Sequence, residues 1–320
     1  MSDILQSNRV HVDRHLSNVA LNYSPEGFIA AEIAPIVPVA KRTDTYINYS
    51  QADMFRREDA KRMDGAEAKI INFGTGSDSY RCLNYALKSS ITLEDEVNRD
   101  PEYRMLTEEG RTRFLSTKHW IDWETRVASL CQANANVASN FAAASAWTDY
   151  TNSNPLADIW TAQDRFRNIN GYRANKIVFG LDGWVNFIRN TNVRNSVMNP
   201  NVTAGGDLPM PAAVGRYLEM KVLVGGAYRN FAGQGVANSL GIIWNDNVIL
   251  YYAPDAPSIE VPSWMYSFRW SAPGIPNMQV ERHPFDSRRK SYEIEVGYHQ
   301  DEKITASLFA FKVRNVNSSN

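Results

Sequence analysis

The sequence predicts an α+β fold, and three stretches carry that prediction. Residues 154–197 read as helix, turn, buried strand and second helix. Residues 101–134 read as one long amphipathic helix, and residues 291–313 as an alternating strand that turns and returns.

The first stretch is the best specified. Asn154 is a capping residue, and Pro155 at the first helical position has no amide left to satisfy. Leu156, Ile159, Trp160 and Phe166 share a face, and Gly171 suits the positive φ that often ends a helix. Lys176 to Phe179 is a short apolar run with strand character. Gly180-Leu181-Asp182 closes it, with Asp182 the expected cap of a helix carrying Trp184, Phe187 and Ile188. That turn holds an acid where a phosphate would sit, which argues against a nucleotide site.

The long helix begins at Asp100-Pro101, a cap followed by proline, with Glu102 in its first turn. Glu109 and Arg113 sit at i, i+4, and Trp120, Trp123, Val127 and Leu130 form a stripe that buries one face. In the third stretch Tyr292, Ile294, Val296 and Tyr298 alternate onto one face; Asp301-Glu302 is the expected turn and 303–313 the returning strand.

The other segments are less regular. Residues 1–50 read as an arm: Val10, Val12 and Leu16 suggest a brief helix, and Pro35 and Pro38 restrict Ile36-Val37 to an edge strand. Residues 51–80 carry Arg56, Arg57, Lys61, Arg62 and Lys69 against Asp53, Glu58, Asp59, Asp64 and Glu67, so the charges cancel. Two readings stand: a solvated mixed-charge loop, or a projecting hairpin with strands near Tyr46–Tyr49 and Ile70–Phe73 whose charges pair with another subunit. Residues 80–93 alternate as a strand, and 211–220 suit a short helix. Strands follow at 221–228, 239–244 and 247–254, with Asp246-Asn247 as a hairpin turn. Residues 262–288 read as irregular and Pro-rich.

Composition narrows function. The chain has 320 residues, 43% of them hydrophobic, which is enough for a real core. A formal net charge of −1 gives no bulk attraction to nucleic acid or an anionic membrane, and no run reaches membrane-spanning length. Cys82 and Cys131 are too few for a disulfide framework and are not spaced for metal, so a reducing, intracellular site of synthesis is expected. The 8 Trp, 15 Tyr and 13 Phe are numerous enough to supply interfaces as well as a core.

Catalytic patterns are lacking. His11 and His15 would share a helical face, but Val12 and Asp13 replace the glutamate of the helical zinc-protease motif. No serine sits in a Gly-x-Ser-x-Gly elbow, and Cys131 lies beside the tryptophan stripe as a structural thiol. Gly225-Gly226 and Gly233-Gln234-Gly235 lack the lysine of a phosphate loop and read as turns. Arg288-Arg289-Lys290 reads as a solvated turn. No catalytic residue, metal or cofactor is expected.

The order of elements resembles the major capsid proteins of tailed bacteriophages, with the Johnson (Hong Kong-type) fold. ANKIVFGLDGWVNFIRNTNVRNSV is similar to the strand, turn and helix of that family's axial domain, and LEMKVLVGGAYRNFAGQGVANSLGIIWNDNVILYYAP to the segment after it. HVDRHLSNVALNYSPEGFIAAEIAPIVPV resembles the arm of one of its branches. The resemblance covers nearly the whole chain. It implies an N-terminal arm over 1–50, an extended loop over 51–82, a peripheral domain of 83–155 and 263–320 with spine helix 101–134, and an axial domain over 156–262. It further implies self-assembly through pentamers and hexamers into a virion head that encloses double-stranded DNA without sequence-specific binding, made in the host cytoplasm. A separate scaffolding protein is expected, because the chain starts directly with the arm; a portal and a possible decoration protein are expected beside it. Lys61 and Lys69 lie where some relatives form a Lys–Asn cross-link, but no motif supports one here. Arg56, Arg57, Glu58, Asp59, Lys61, Arg62, Asp64 and Glu67 are the expected inter-subunit contacts. An encapsulin-like compartment shares the fold and is the rival reading; an ordinary enzyme is a distant third.

Overall fold

The computed structural model describes residues 11–23, 25–49, 57, 59–65, 67–70, 75–98, 104–197, 210–233, 235–258, 261, 263–271 and 278–317. Among them it forms an α+β molecule with two principal sheets and one long helix.

The hub of the first sheet is the strand Ser291–Ile304. It pairs antiparallel with Leu83–Thr92, with Gln279–Arg282 and with Met265–Trp270. His11–Val12 and the proline-bearing Ile36–Val39 take the outer positions. Tyr292, Ile294, Val296 and Tyr298 are buried as their alternation requires. The expected turn at Asp301-Glu302 does not form, and the strand runs straight through it. Both acids have partners that make this possible: Arg126 donates to Glu302 Oε1 at 2.9 Å, and the Arg81 amide donates to Asp301 at 2.8 Å. Residues 262–288 contain two strands rather than irregular chain; Met265–Trp270 is buried on both faces, with Ser267 and Arg269 hiding its strand pattern in the sequence.

The second sheet is mixed, in the order Ser139–Ala142, Ala310–Arg314, Val248–Tyr251, Lys176–Gly180, Lys221–Gly225. The returning strand therefore leaves its expected partner and pairs with Val248–Tyr251. Asp246-Asn247 is not a hairpin turn, since Leu240–Ile242 pairs with Tyr228–Asn230 instead. Strands Ser139–Ala142 and Ala310–Arg314, which the sequence division groups with 83–155 and 263–320, lie in the sheet of 176–251.

The helix Pro155–Asn170 is built as its sequence dictates: Asn154 accepts from the Ala157 amide, and Gly171 has φ 73°. Trp160 departs from the buried face and stacks edge-on with Tyr217 at the surface. Gly180, not Asp182, precedes the helix Leu181–Arg189, with no side-chain cap. A Cβ at Gly180 would lie 1.9 Å from the Asn245 carbonyl oxygen, so backbone proximity selects this glycine. Trp147, Phe166, Phe179, Phe187, Leu250 and Phe311 fill the core beneath.

The long helix is described over Arg104–Gln132, about 44 Å at 1.5 Å per residue. Trp123 and Val127 are buried, with Trp120 and Leu130 half-buried beside them. Cys131 is buried in the same core, where burial pushes its thiol pKa well up, as befits a structural cysteine. The start proposed at Asp100-Pro101 lies outside the described residues.

Candidate functional site

The charged segment sits at the end of an antiparallel ribbon. Thr43–Tyr49 pairs with Thr75–Arg81; of the second strand expected at Ile70–Phe73, residues 71–73 lie outside the described residues. Ile70 itself is outside any strand and 80% exposed. At its root the ribbon clasps one ring of the body: Phe268 lies 5.3 Å from Tyr46 and 4.7 Å from Tyr80, centroid to centroid. The Tyr46 hydroxyl donates to Asp78 at 3.0 Å, and burial with that carboxylate pushes the phenol pKa up. Tyr80 donates to the Lys41 carbonyl at 3.3 Å. Cys82 is buried against the Phe268 carbonyl, its thiol pushed up to about 11 by desolvation. Such a thiol stays protonated at neutral pH, as a structural cysteine does.

Beyond this root the side chains lose their packing. Residues 76–79 are exposed, and so are the tip residues Arg57, Asp59, Lys61, Arg62, Asp64 and Glu67. Among the described residues none of these six forms an ion pair within its own chain. Met63 stands among them 81% exposed. Arg56 and Glu58, the other two expected contacts, lie outside the described residues. The arrangement is a firmly rooted ribbon with a charged, exposed tip.

The arm is held differently. Asp13 caps the helix Arg14–Asn22 through the His15 and Leu16 amides. His11 is in a strand and His15 in this helix, so they share no helical face; His15 instead reaches Glu109 at 3.1 Å. Trp120 donates to the Tyr23 carbonyl at 2.8 Å. The strongest tie is Glu124, wholly buried, which accepts from the Ile29 and Ala30 amides and from Trp244 Nε1 at 2.6 Å. Burial pushes its pKa up, and these three donors offset part of that shift. Sequence reading missed Glu124, although it stands four residues after Trp120 on the apolar stripe, where a carboxylate requires buried donors.

Among the described residues no group of three or more His, Cys, Asp or Glu converges on a metal-sized site. No described helix is long and apolar enough to cross a membrane.

No protein-family model and no curated protein sequence matches this chain. Solved structures do. A phage-related protein from Bordetella bronchiseptica RB50 is 19% identical, with a TM-score of 0.72 over 97% of this chain and 98% of its own. The putative capsid protein of a prophage in E. coli CFT073 is 9% identical, with a TM-score of 0.52 over 96% and 99%. The SrpI encapsulin of Synechococcus elongatus PCC 7942 is 10% identical, with a TM-score of 0.53 over 96% of both chains. Element order, rooted ribbon and spine helix together with these likenesses establish that the chain has the α+β capsid fold, the Johnson (Hong Kong-type) architecture.

Proposed function

We propose that this chain is the major capsid protein of a tailed phage or prophage, a structural rather than catalytic protein. Copies of it associate as pentamers and hexamers into an icosahedral head around double-stranded DNA. The observation that carries this reading is the ribbon: among the described residues its tip exposes Met63 and charges of both signs, in a chain whose fold is shared, over 97% of its length, with a phage-related protein. Arg56, Arg57, Glu58, Asp59, Lys61, Arg62, Asp64 and Glu67 pair with a neighbouring copy. The near-neutral net charge suits a container that encloses DNA without gripping it.

In this reading residues 1–50 are the arm and 51–82 the extended loop. The peripheral unit comprises the spine helix and the first sheet. The axial unit comprises 156–262 together with the strands Ser139–Ala142 and Ala310–Arg314, which pair in its sheet. A scaffolding protein, a portal and a decoration protein are the further partners, and the virion head, assembled in the host cytoplasm, is the destination.

Negative-stain microscopy of the purified protein tests the proposal: closed icosahedral shells are expected, and a monodisperse monomer under all assembly conditions overturns it. The likeness to an encapsulin favours one second reading, a protein-filled compartment. Nuclease-protected DNA inside particles from infected or induced cells supports the phage head; packaged enzyme found by mass spectrometry supports the compartment.

A further inference from the structure

A cavity of about 370 Å³ lies between the arm, the spine helix and the first sheet. Trp120, Trp123, Tyr298, Ile36 and Pro38 form much of its wall, and Arg269 is its one permanent cation among the described residues. Arg269 is only 8% exposed. Its guanidinium lies 5.4 Å from the Trp123 ring centroid and 5.0 Å from that of Tyr298. It donates from Nε to Gln300 Oε1 at 2.8 Å and from Nη2 to the same oxygen, which leaves Nη1 without an acceptor among the described residues.

The nearby charges do not neutralise it. Among the described residues Glu302 is the carboxylate that acts on Arg269, and it is already held by Arg126 at 2.9 Å and by the Gln300 amide at 2.7 Å. Burial pushes the Arg269 pKa down to about 10, so the group remains charged at neutral pH. A buried guanidinium without its own counter-ion is costly to fold around. Trp123 Nε1, on a residue 3% exposed, is a buried donor with no partner, but it has no accessible surface and does not open onto the cavity. His119 contributes no further charge, since its Nε2 is bonded to the Val296 carbonyl oxygen and burial lowers its pKa.

We propose that this cavity is an anion site that takes a carboxylate carried on a short apolar or aromatic body. The carboxylate would meet the Arg269 guanidinium, and its apolar body would lie against Trp120, Ile36 and Pro38. A phosphate or sulfate would waste the apolar wall, and a neutral apolar ligand would leave the Arg269 Nη1 donor unpaired. The same chemistry is offered by a free organic acid and by an acidic side chain of a second copy.

Calorimetric titration of the full-length isolated subunit with benzoate, hexanoate and benzamide tests the site. Saturable binding of both acids is expected, with benzamide weaker by roughly tenfold or more, the size of one lost charge-assisted hydrogen bond. Arg269→Gln removes that preference, and Arg269→Lys retains only part of it. Absence of saturable binding by either acid, or equal binding of benzamide, overturns the proposal, as does an unchanged preference in folded Arg269→Gln or, if that variant does not fold, in Arg269→Lys. Repeating the titration on assembled particles separates the sources: benzoate binding that disappears there assigns the site to a second copy's acid, and binding that persists assigns it to a free carboxylate. The subunit titration stands whether or not shells form.

Discussion

Ala30 donates its backbone N–H to the buried carboxylate of Glu124 at 2.8 Å, fastening the arm to the middle of the spine helix. Trp244 shares the same carboxylate, so one side chain fixes three separate segments.

Glu124→Ala should therefore cost about 3 kcal/mol or more, because it orphans the Ile29 and Ala30 amides and the Trp244 indole together. Hydrogen exchange checks the mechanism: amides 29 and 30 should exchange fastest relative to wild type, ahead of the spine helix.

The same residue gives a pH signature. Its folded-state pKa is raised above the ordinary 4.5, chiefly by burial. A raised carboxylate pKa means that the folded state prefers the proton, so its contribution is greatest in acid and declines as pH rises through 4.5 toward the raised value. Glu124→Gln does not titrate. The melting temperature of wild type minus that of Glu124→Gln should fall as pH rises from acid to neutral; a flat difference refutes the linkage.

Phe268 makes the ribbon a lever. Removing its ring in Phe268→Ala should destabilise the fold by about 3–5 kcal/mol and free Tyr46 and Tyr80 from their shared partner. Amides 43–49 should lose protection before those of Ser291–Ile304.

Reversal of the basic tip, Arg56, Arg57, Lys61 and Arg62 each to Glu, should leave the melting temperature nearly unchanged while abolishing assembly. The described members of this set are exposed, and exposed substitutions typically shift stability by no more than about 0.5 kcal/mol. Sedimentation velocity gives the readout, and normal shells from the variant would remove the tip from the assembly mechanism.

Gly180→Ala should destabilise by about 1–3 kcal/mol or more, since the new methyl carbon would lie 1.9 Å from the Asn245 carbonyl oxygen. Thermal unfolding measures it, and a neutral effect would show that this strand end yields easily.

What could be read from the sequence divides by range. Asn154, Pro155 and Gly171 are legible because capping is settled within a few residues. Gly180 was legible as a turn but not as the helix boundary, because Asn245 dictates it from a distant segment. Asp301 and Glu302 read as a solvated turn because Arg126 and Arg81, their partners, are far away in sequence. For the ribbon, charge balance and excess length marked the segment, whereas the Phe268 clasp left no local trace. Arg269 escaped notice for the opposite reason, since a lone basic residue in an apolar strand looks like a surface position until its neighbours are known.

The hub strand Ser291–Ile304 and the bridging strand Ala310–Arg314 lie in different sheets, with only residues 305–309 between them. That link is itself pinned: the Thr305 and Ala306 amides donate to the Trp264 carbonyl, and the Phe309 carbonyl accepts from the Tyr252 amide. A segment so short and so held has no slack to take up. A displacement of one sheet is therefore passed along the chain to the other, and the two sheets respond to load as one body.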